Sequence, residues 1–501
     1  MDWGHIILIV IVLLVLAGIL EPMMGFYQYT LAIFHWFSRL PDPAGRIHRP
    51  RVAVIVPAWN EANVIENTLN HLLELHYPAE AIRIYVIDDA STDETAAIVR
   101  HMADEHPQIH HIHRATGGEG KSHTINAGLR QIKDDPWHQM VLIIDADVLF
   151  TKDSLLMMIA HMSDPDVGAV SGYIKEGTTD PNYLNKFIGF EYITAQAAGR
   201  RAQNVIGAQA CVAGGAQLLR REALEEIGGE IDTSTLAEDT VTTFEIQTRG
   251  WKVIFEPSAV IWAEEPAGLT GLWKQRLRWA RGNVAVTWRF RRSFFKWDKI
   301  RSRGFGGLQF SLIWFSIILM PVMIILSSAA LVALWIIDRR LSEQTFLGLW
   351  FFVGFVYFYV TITSLCLDKE VARRTWLQGF CFPGLVSVAL ILYGVFGTIF
   401  AAFIGGALST IGLGSDSGAA QYLLLGADIW LTAAMILAPL LRHLENVPVL
   451  AWAAKPLLYI IGYGPFLCAV TLRSYWEGLF NKDLVWDKTE KSGNIAELDL
   501  G

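Results

Sequence analysis

The sequence predicts an α/β domain built on a mostly parallel sheet, fused to a multi-span α-helical transmembrane region. Two observations carry this expectation. The first is uneven hydropathy. Of 501 residues, 52% are hydrophobic and only 18% are charged, and the mean hydropathy is +0.33, too apolar for one water-soluble globule. The charge gathers between residues 50 and 300, whereas 304–475 is a nearly continuous series of apolar blocks. The second is alternation within the charged half. Short apolar, β-branched runs at Val52–Val56, Ile82–Ile87 and Met140–Ile144 are separated by helical patterns, at Ala62–Leu75 and Ser91–His106 among others. Short apolar strands between helices argue for a parallel sheet covered on both faces.

The chain divides into four stretches. Residues 1–38 form an N-terminal transmembrane segment. Its apolar run, Ile6 to Leu20, follows Asp2 and His5 rather than a basic region, and no A-x-A-like site comes after it. That pattern is not a cleaved signal peptide. The run resumes after Glu21 and Pro22 as far as Phe37, and one long Pro-interrupted span is the preferred reading. Residues 39–303 form the α/β domain, entered through a Pro-rich linker with Arg39, Arg46, Arg49 and Arg51. Those arginines place this side in the cytoplasm by the positive-inside rule. The domain ends in Arg289–Arg303, where bases mix with aromatics. An interfacial helix on anionic headgroups and an ordinary cytoplasmic flank both read this way.

Residues 304–473 hold candidate spans near 309–337, 346–366, 378–404, 420–441 and 449–472, each about 20 apolar residues or longer. Residues 474–501 are a polar tail with Lys482, Lys488 and Lys491. A cytoplasmic tail requires one of the five segments not to cross. Pro383 and the nearby glycines point to part of 375–404.

Composition excludes some classes. A net charge of -8 does not suit a nucleic-acid surface. Cys211, Cys366, Cys381 and Cys468 form no C-x-x-C pair, which argues against a zinc site or a disulfide framework.

Four acidic or basic motifs follow one another through the α/β domain. The strand Ile84–Ile87 runs into Asp88-Asp89, where open α/β sheets bind ligands, although Asp-Asp-x-Ser-x-Asp equally suits a turn and helix cap. The strand Val141–Ile144 runs into Asp145-Ala146-Asp147. Two carboxylates at this spacing can present oxygens to one Mg²⁺ or Mn²⁺ beside a diphosphate. Glu238-Asp239 opens a helical stretch, Thr242–Arg249, either as acids favoured by the helix dipole or with Asp239 as a general base. Gln275-Arg276-Leu277-Arg278-Trp279 offers an arginine to clamp a diphosphate and an indole to stack on a sugar, or reads as a basic, aromatic interface helix. Metal, base and shaped nucleoside pocket are the three needs of transfer from a nucleoside-diphosphate sugar.

In this order and spacing, Asp88-Asp89, Asp145-Ala146-Asp147, Glu238-Asp239 and Gln275…Arg278-Trp279 resemble the motif set of the processive family 2 glycosyltransferases. These are the synthases of cellulose, chitin, hyaluronan and poly-N-acetylglucosamine. Val56-Pro57-Ala58-Trp59-Asn60-Glu61 is similar to the family's opening, with Trp59 where tyrosine is more usual. Gly120-Lys121…Asn126-Ala127-Gly128-Leu129 resembles a further segment, which His123-Thr124 loosens, and Ala237 replaces the commoner threonine. The resemblance covers about residues 50 to 300. It implies a GT-A-like fold and donor binding by Pro57, Asn60, Glu61, Asp88, Asp89, Lys121 and Asp145. It also implies metal binding by Asp145 and Asp147, and Asp239 as base with Glu238 beside it. It gives Gln275, Arg278 and Trp279 the acceptor end and diphosphate, and Cys211, Gly214 and Gly215 the loop beside the acceptor sugar. The segment Gly271–Gly282 looks most like poly-N-acetylglucosamine synthases.

The expected function is therefore inverting, processive synthesis of a β-linked polysaccharide. The donor is a UDP-sugar, UDP-N-acetylglucosamine or UDP-glucose, and the acceptor is the growing polymer. The location is the inner (plasma) membrane, with the lipid bilayer as a partner, no nucleic acid, and room for a small accessory subunit. Many spans suggest a path for the polymer, and Asp428, inside an apolar block, is a candidate to line it. About 29 residues follow the last span, too few for the regulatory domain usual in cellulose synthases. The alternatives are a non-processive transferase acting on a membrane lipid, and a transporter with a degenerate sugar-binding domain. The complete set of carboxylates argues against the transporter.

Overall fold

The computed structural model describes residues 3–38, 48–296, 304–396, 417–480 and 493–495. Several expected features lie outside the described residues: most of the linker (39–47), the end of the basic stretch (297–303), the end of the third candidate span, and Lys482, Lys488 and Lys491 of the tail. The chain forms two compact units. One comprises Met1–Thr30, Gly268–Ala280 and Leu312–Asn481, and the other Leu31–Ala267, Arg281–Ser311 and Lys482–Gly501.

The second unit is built on an eight-stranded mixed sheet in the order β3-β2-β1-β4-β7-β6-β8-β5. The strands are β1 (Val52–Ala58), β2 (Ile82–Asp88), β3 (Ile109–His113), β4 (Met140–Ile143), β5 (Val148–Phe150), β6 (Val167–Glu176), β7 (Gln217–Arg220) and β8 (Lys252–Ala263). β2, β1 and β4 pair in parallel, as the apolar runs predict, and β3, which those runs do not mark, adds in parallel to β2. β7 then enters antiparallel to both β4 and β6, and β5 lies antiparallel to β8. Alternation along the strands explains the two-sided core. Val54, Val56, Val86 and Leu142 pack with Ile65, Leu69 and Val99 on one face. Ala53, Ile55, Ile87, Val141 and Ile143 pack with Ile125 and Leu129 on the other. From β1 the chain steps outward to β2 and β3, then returns to β4 on the other side of β1. Such a reversal opens a crevice at the carboxyl ends of the strands, and Asp88 and Asp145 stand at those ends.

The first unit is helical. It begins with a single helix, Trp3–Phe37, that has Pro22 inside and whose end from Leu31 belongs to the second unit. Among the described residues, four helices are long and apolar enough to cross a membrane: Ile9–Phe37, Leu308–Ile337, Arg339–Leu367 and Leu424–Glu445. Large apolar side chains such as Leu13, Ile336 and Ile436 are more than half exposed on them, a surface suited to lipid and not to water. Two further pairs are bent, Lys369–Phe380 with Leu385–Phe396 by 79° and Ala451–Ile461 with Tyr463–Leu479 by 95°. The expected span near 449–472 is thus not one straight helix. Gly462, at φ +108°, turns the chain there, and Gly384, at φ +90°, marks the other break.

Candidate active site

The residues expected to bind the donor gather at the ends of β1 and β2. Asp88 closes β2, and Asp89 donates its N–H to the Ala58 carbonyl at 2.8 Å. The turn beyond is tight, with Asn60 and Ala90 both at φ 55°, a conformation that asparagine tolerates better than most residues. Asn60 donates its N–H to Ser91 Oγ at 2.9 Å and accepts the Thr92 N–H at 2.8 Å. The Glu61 N–H reaches Thr95 Oγ1 at 2.8 Å. Pro57 sits in β1 opposite Ile87. These contacts bring Pro57, Asn60, Glu61, Asp88 and Asp89 together.

The two aspartates face different partners. Asp88 is fully buried. It accepts the Ser91 N–H at 3.0 Å, and its Oδ2 lies 2.7 Å from His113 Nδ1. Burial pushes its pKa up, but the hydrogen bonds from Ser91 and His113 outweigh that and hold it below the ordinary value. Asp89 pairs with the Arg114 guanidinium and accepts the Gly118 N–H at 3.1 Å. Gly117 has no room for a side chain, since a Cβ there would stand 2.0 Å from the Asp89 carbonyl oxygen.

The second cluster forms where β4 ends. The Asp145 carboxylate pairs with the Lys121 ammonium, and Glu238 Oε1 lies 3.7 Å from the same nitrogen. Lys121 opens the helix Lys121–Ile132. Burial works against its charge, but Asp145 and Glu238 together raise its pKa above the ordinary value. Burial raises the Glu238 pKa in turn, opposed by Lys121 and reinforced by Asp239. The helix Glu238–Thr248 starts earlier than its apolar pattern suggests, which puts both acids in its first turn. Asp147 is half-buried, two residues beyond Asp145. Oxygen-only donors on this spacing suit Mg²⁺ or Mn²⁺, and a cation already rests on Asp145 in the form of the Lys121 ammonium.

The glycine-rich loop 211–217 closes over this cluster. Gly214 donates its N–H to Asp239 Oδ2 at 3.1 Å. A Cβ on Gly215 would lie 3.3 Å from Asp145 Oδ2, and one on Gly214 would lie 3.0 Å from Lys121 Nζ. The Cys211 thiol is pushed well up by burial and by Asp239, so it remains protonated. Arg200 ends a π-helical turn, Ile193–Arg200, and donates to Ser171 Oγ at 2.8 Å. That hydroxyl also accepts the Ala213 N–H at 3.1 Å.

Gln275, Arg278 and Trp279 lie on the helix Leu269–Arg289, in the part that belongs to the first unit. There Gln275 is buried and Trp279 is exposed. The Arg276 guanidinium sits over the Trp279 ring, 4.1 Å from its centre.

Residues 50–282 match the model of the family described as "Glycosyltransferase like family 2". A probable glycosyltransferase of Bacillus subtilis, YdaM, is 30% identical over 69% of this chain and 82% of its own length. The chain belongs to the family 2 glycosyltransferases. A poly-beta-1,6-N-acetyl-D-glucosamine synthase of Staphylococcus aureus is also 30% identical, over 59% of this chain and 69% of that protein. In fold, this glycosyltransferase is similar to a mannosyltransferase of Pyrobaculum calidifontis solved with GDP-Man and Mn²⁺. The TM-score is 0.51 at 24% identity, covering 78% of this chain and 99% of the other. The enzyme is a hexosyltransferase with the expected GT-A-like fold.

Sequence reasoning missed several residues around this glycosyltransferase's site. Arg114 and Gly117 pack against Asp89, and the signal was the segment Arg114-Ala115-Thr116-Gly117-Gly118, a basic residue before paired glycines. Arg200 and Ser171 brace the loop 211–217 from elements with no acidic motif. His111 and His113 flank Asp88, and the run Ile109-His110-His111-Ile112-His113 was their signal.

Proposed function

We propose that the enzyme is an inverting, processive synthase that polymerises a β-linked polysaccharide from a UDP-sugar and passes the polymer across the membrane. UDP-N-acetylglucosamine is the favoured donor and UDP-glucose the second. The observation that carries the reading is the convergence of Asp239, Lys121, Asp145 and the loop at Gly214 on one place. Poly-N-acetylglucosamine synthases among its relatives favour the donor and the polymer. Apolar helices favour a multi-pass protein of the plasma membrane, with the catalytic unit on the cytoplasmic side where nucleotide sugars are made.

In this reading Asp89, with its loop from Arg114 to Gly118, holds the nucleoside. Asp145 and Asp147 would hold Mg²⁺ or Mn²⁺, which would supply positive charge to the diphosphate leaving group. Lys121 supplies a second positive charge there. Asp239 takes the proton of the acceptor hydroxyl as its oxygen bonds to the anomeric carbon and the bond to the diphosphate breaks. The Gly214 N–H orients that carboxylate. Cys211 holds its proton and is no nucleophile, in keeping with a single displacement and inverted configuration. The roles that the resemblance gives Gln275, Arg278 and Trp279 at the acceptor end belong to the same proposal.

The test is synthesis by the enzyme in lipid nanodiscs with Mg²⁺ or Mn²⁺ and radiolabelled UDP-N-acetylglucosamine, UDP-glucose or UDP-glucuronic acid, singly and in pairs. High-molecular-weight product, cut by β-linkage-specific hydrolases, is expected from one donor. A single sugar on lipid, an α-linked product or a trapped glycosyl-enzyme overturns the reading.

A further inference from the structure

We propose a second metal site, separate from Asp145 and Asp147, in which Asp88, His111 and His113 bind zinc at the carboxyl ends of β2 and β3. The parallel register sets Asp88 beside His113, and His111, two residues earlier on β3, shares the same face. One donor atom from each of the three lies within 4.8 Å of the others. His113 Nδ1 stands 2.7 Å and His111 Nε2 3.9 Å from Asp88 Oδ2. Donor atoms on a tetrahedral zinc with bonds near 2.0–2.1 Å are about 3.3 Å apart, between these two separations. The third separation, between the two imidazole nitrogens, is no more than 4.8 Å, so side-chain rotation that draws the three atoms toward one point admits the ion.

Three features make this more than a chance grouping. His111 Nε2 is buried with no hydrogen-bond partner, which is uncommon for a buried polar atom and is relieved by a metal bond. Asp88 is held through the Ser91 N–H at 3.0 Å, the kind of outer bond that orients a ligating carboxylate. The His113 side chain is 54% exposed, so the site opens to solvent, with space for water as a fourth ligand.

The donor set also selects the metal. Two imidazoles and one carboxylate favour zinc and its late-transition neighbours, whereas paired carboxylates favour Mg²⁺ or Mn²⁺. The scattered cysteines that argue against a thiolate site have no bearing on imidazole ligands.

The test uses the full-length enzyme in detergent micelles, stripped with chelator and titrated with Zn²⁺ against a chromophoric competitor. Co²⁺ absorption reports the coordination geometry. Wild type is expected to bind a zinc equivalent that Asp145→Asn and Asp147→Asn retain and His111→Ala/His113→Ala loses. Zinc is expected to raise the melting temperature of wild type and not that of His113→Gln, a substitution at a half-exposed side chain that leaves the core intact. Wild type without zinc uptake, or a double variant that keeps the same equivalent, overturns the site. Zinc uptake needs no turnover, so this result is independent of the transferase reading.

Discussion

The Gly214 N–H and the Thr240 N–H hold the two oxygens of the Asp239 carboxylate, Gly214 on Oδ2 at 3.1 Å and Thr240 on Oδ1 at 2.7 Å. The two donors, one on each oxygen, fix the direction of the carboxylate. A base held this way is replaceable in shape by asparagine but not in chemistry. Asp239→Asn is expected to lower kcat by roughly 10²- to 10⁴-fold and to leave donor affinity within a few-fold of wild type. Initial transfer rates and calorimetric UDP-sugar binding measure the two quantities separately. An equal loss in both would move Asp239 from base to donor pocket.

The loop over Asp89 depends on a missing side chain. Because a Cβ on Gly117 would stand 2.0 Å from a backbone oxygen, Gly117→Ala must displace either the loop or the end of β2. Donor affinity is expected to fall at least about tenfold, which is about 1.4 kcal/mol. Circular dichroism and the melting temperature should show the fold retained, because the clash lies at the rim of the sheet. Unchanged UDP binding in Gly117→Ala would remove this loop from the donor site.

The ion pair of Lys121 with Asp145 makes metal dependence testable from two sides. If Asp145 and Asp147 hold the metal as proposed, Asp145→Asn and Asp147→Asn are expected to raise the Mg²⁺ or Mn²⁺ concentration for half-maximal rate at least about tenfold, because each would remove one anionic oxygen ligand. Lys121→Met frees Asp145 from its competing cation but removes a charge from the leaving-group side. It should lower kcat while the half-saturating metal concentration falls or stays constant. Full activity in excess chelator contradicts the metal's role outright.

Cys211 gives a readout of the field around Asp239. Burial and the Asp239 charge both raise the thiol, so little thiolate exists at pH 8 and alkylation by iodoacetamide is slow. Removing the Asp239 charge lowers the thiol pKa toward its ordinary value, and Cys211 in Asp239→Asn is expected to react several-fold faster. The other three cysteines are replaced by serine so that one thiol is followed by mass spectrometry. Equal rates with and without the Asp239 charge would separate the two side chains.

Motifs made of one continuous run were legible in the sequence, and contacts between runs were not. Asp88-Asp89, Asp145-Asp147 and Glu238-Asp239 each follow or begin a regular element, so strand and helix periodicity located them at element ends. Three strands of the parallel wing, β1, β2 and β4, were legible for the same reason, and the histidine-rich β3 was not. β7 was not, because Gln217–Arg220 is only four residues long and its antiparallel pairing between β4 and β6 is set by tertiary packing. Arg114, Arg200 and Ser171 act through neighbours 25 to 42 residues away in sequence, a distance at which no local pattern points to a partner. In the helical unit the apolar blocks showed length but not bending, although Pro383 and the nearby glycines singled out part of 375–404, where one of the two breaks lies. A hydropathy run reads the same straight or broken, and the positive φ of Gly384 and Gly462 is a property of the fold.

Those two glycines interlock. A Cβ on Gly384 would stand 2.4 Å from the Ile461 carbonyl oxygen, and one on Gly462 would stand 2.5 Å from Pro383 backbone atoms. The Gly464 N–H also donates to the Phe382 carbonyl at 2.9 Å. The breaks at 382–384 and 461–464 therefore pack backbone against backbone, at positive φ that costs a side-chain-bearing residue about 1–3 kcal/mol before any clash. Gly384→Ala and Gly462→Ala are each expected to destabilise the helical unit by at least about 2 kcal/mol. Because both open the same contact, the double variant should lose less than the sum. Gly348, mid-helix with nothing within 4 Å of its would-be Cβ, is the control, and Gly348→Ala should be neutral or stabilising by up to about 1 kcal/mol. Thermal unfolding in detergent, with and without each substitution, measures all four. Additive losses at Gly384 and Gly462 would mean that the two breaks are independent, and the interlock would then have no energetic content.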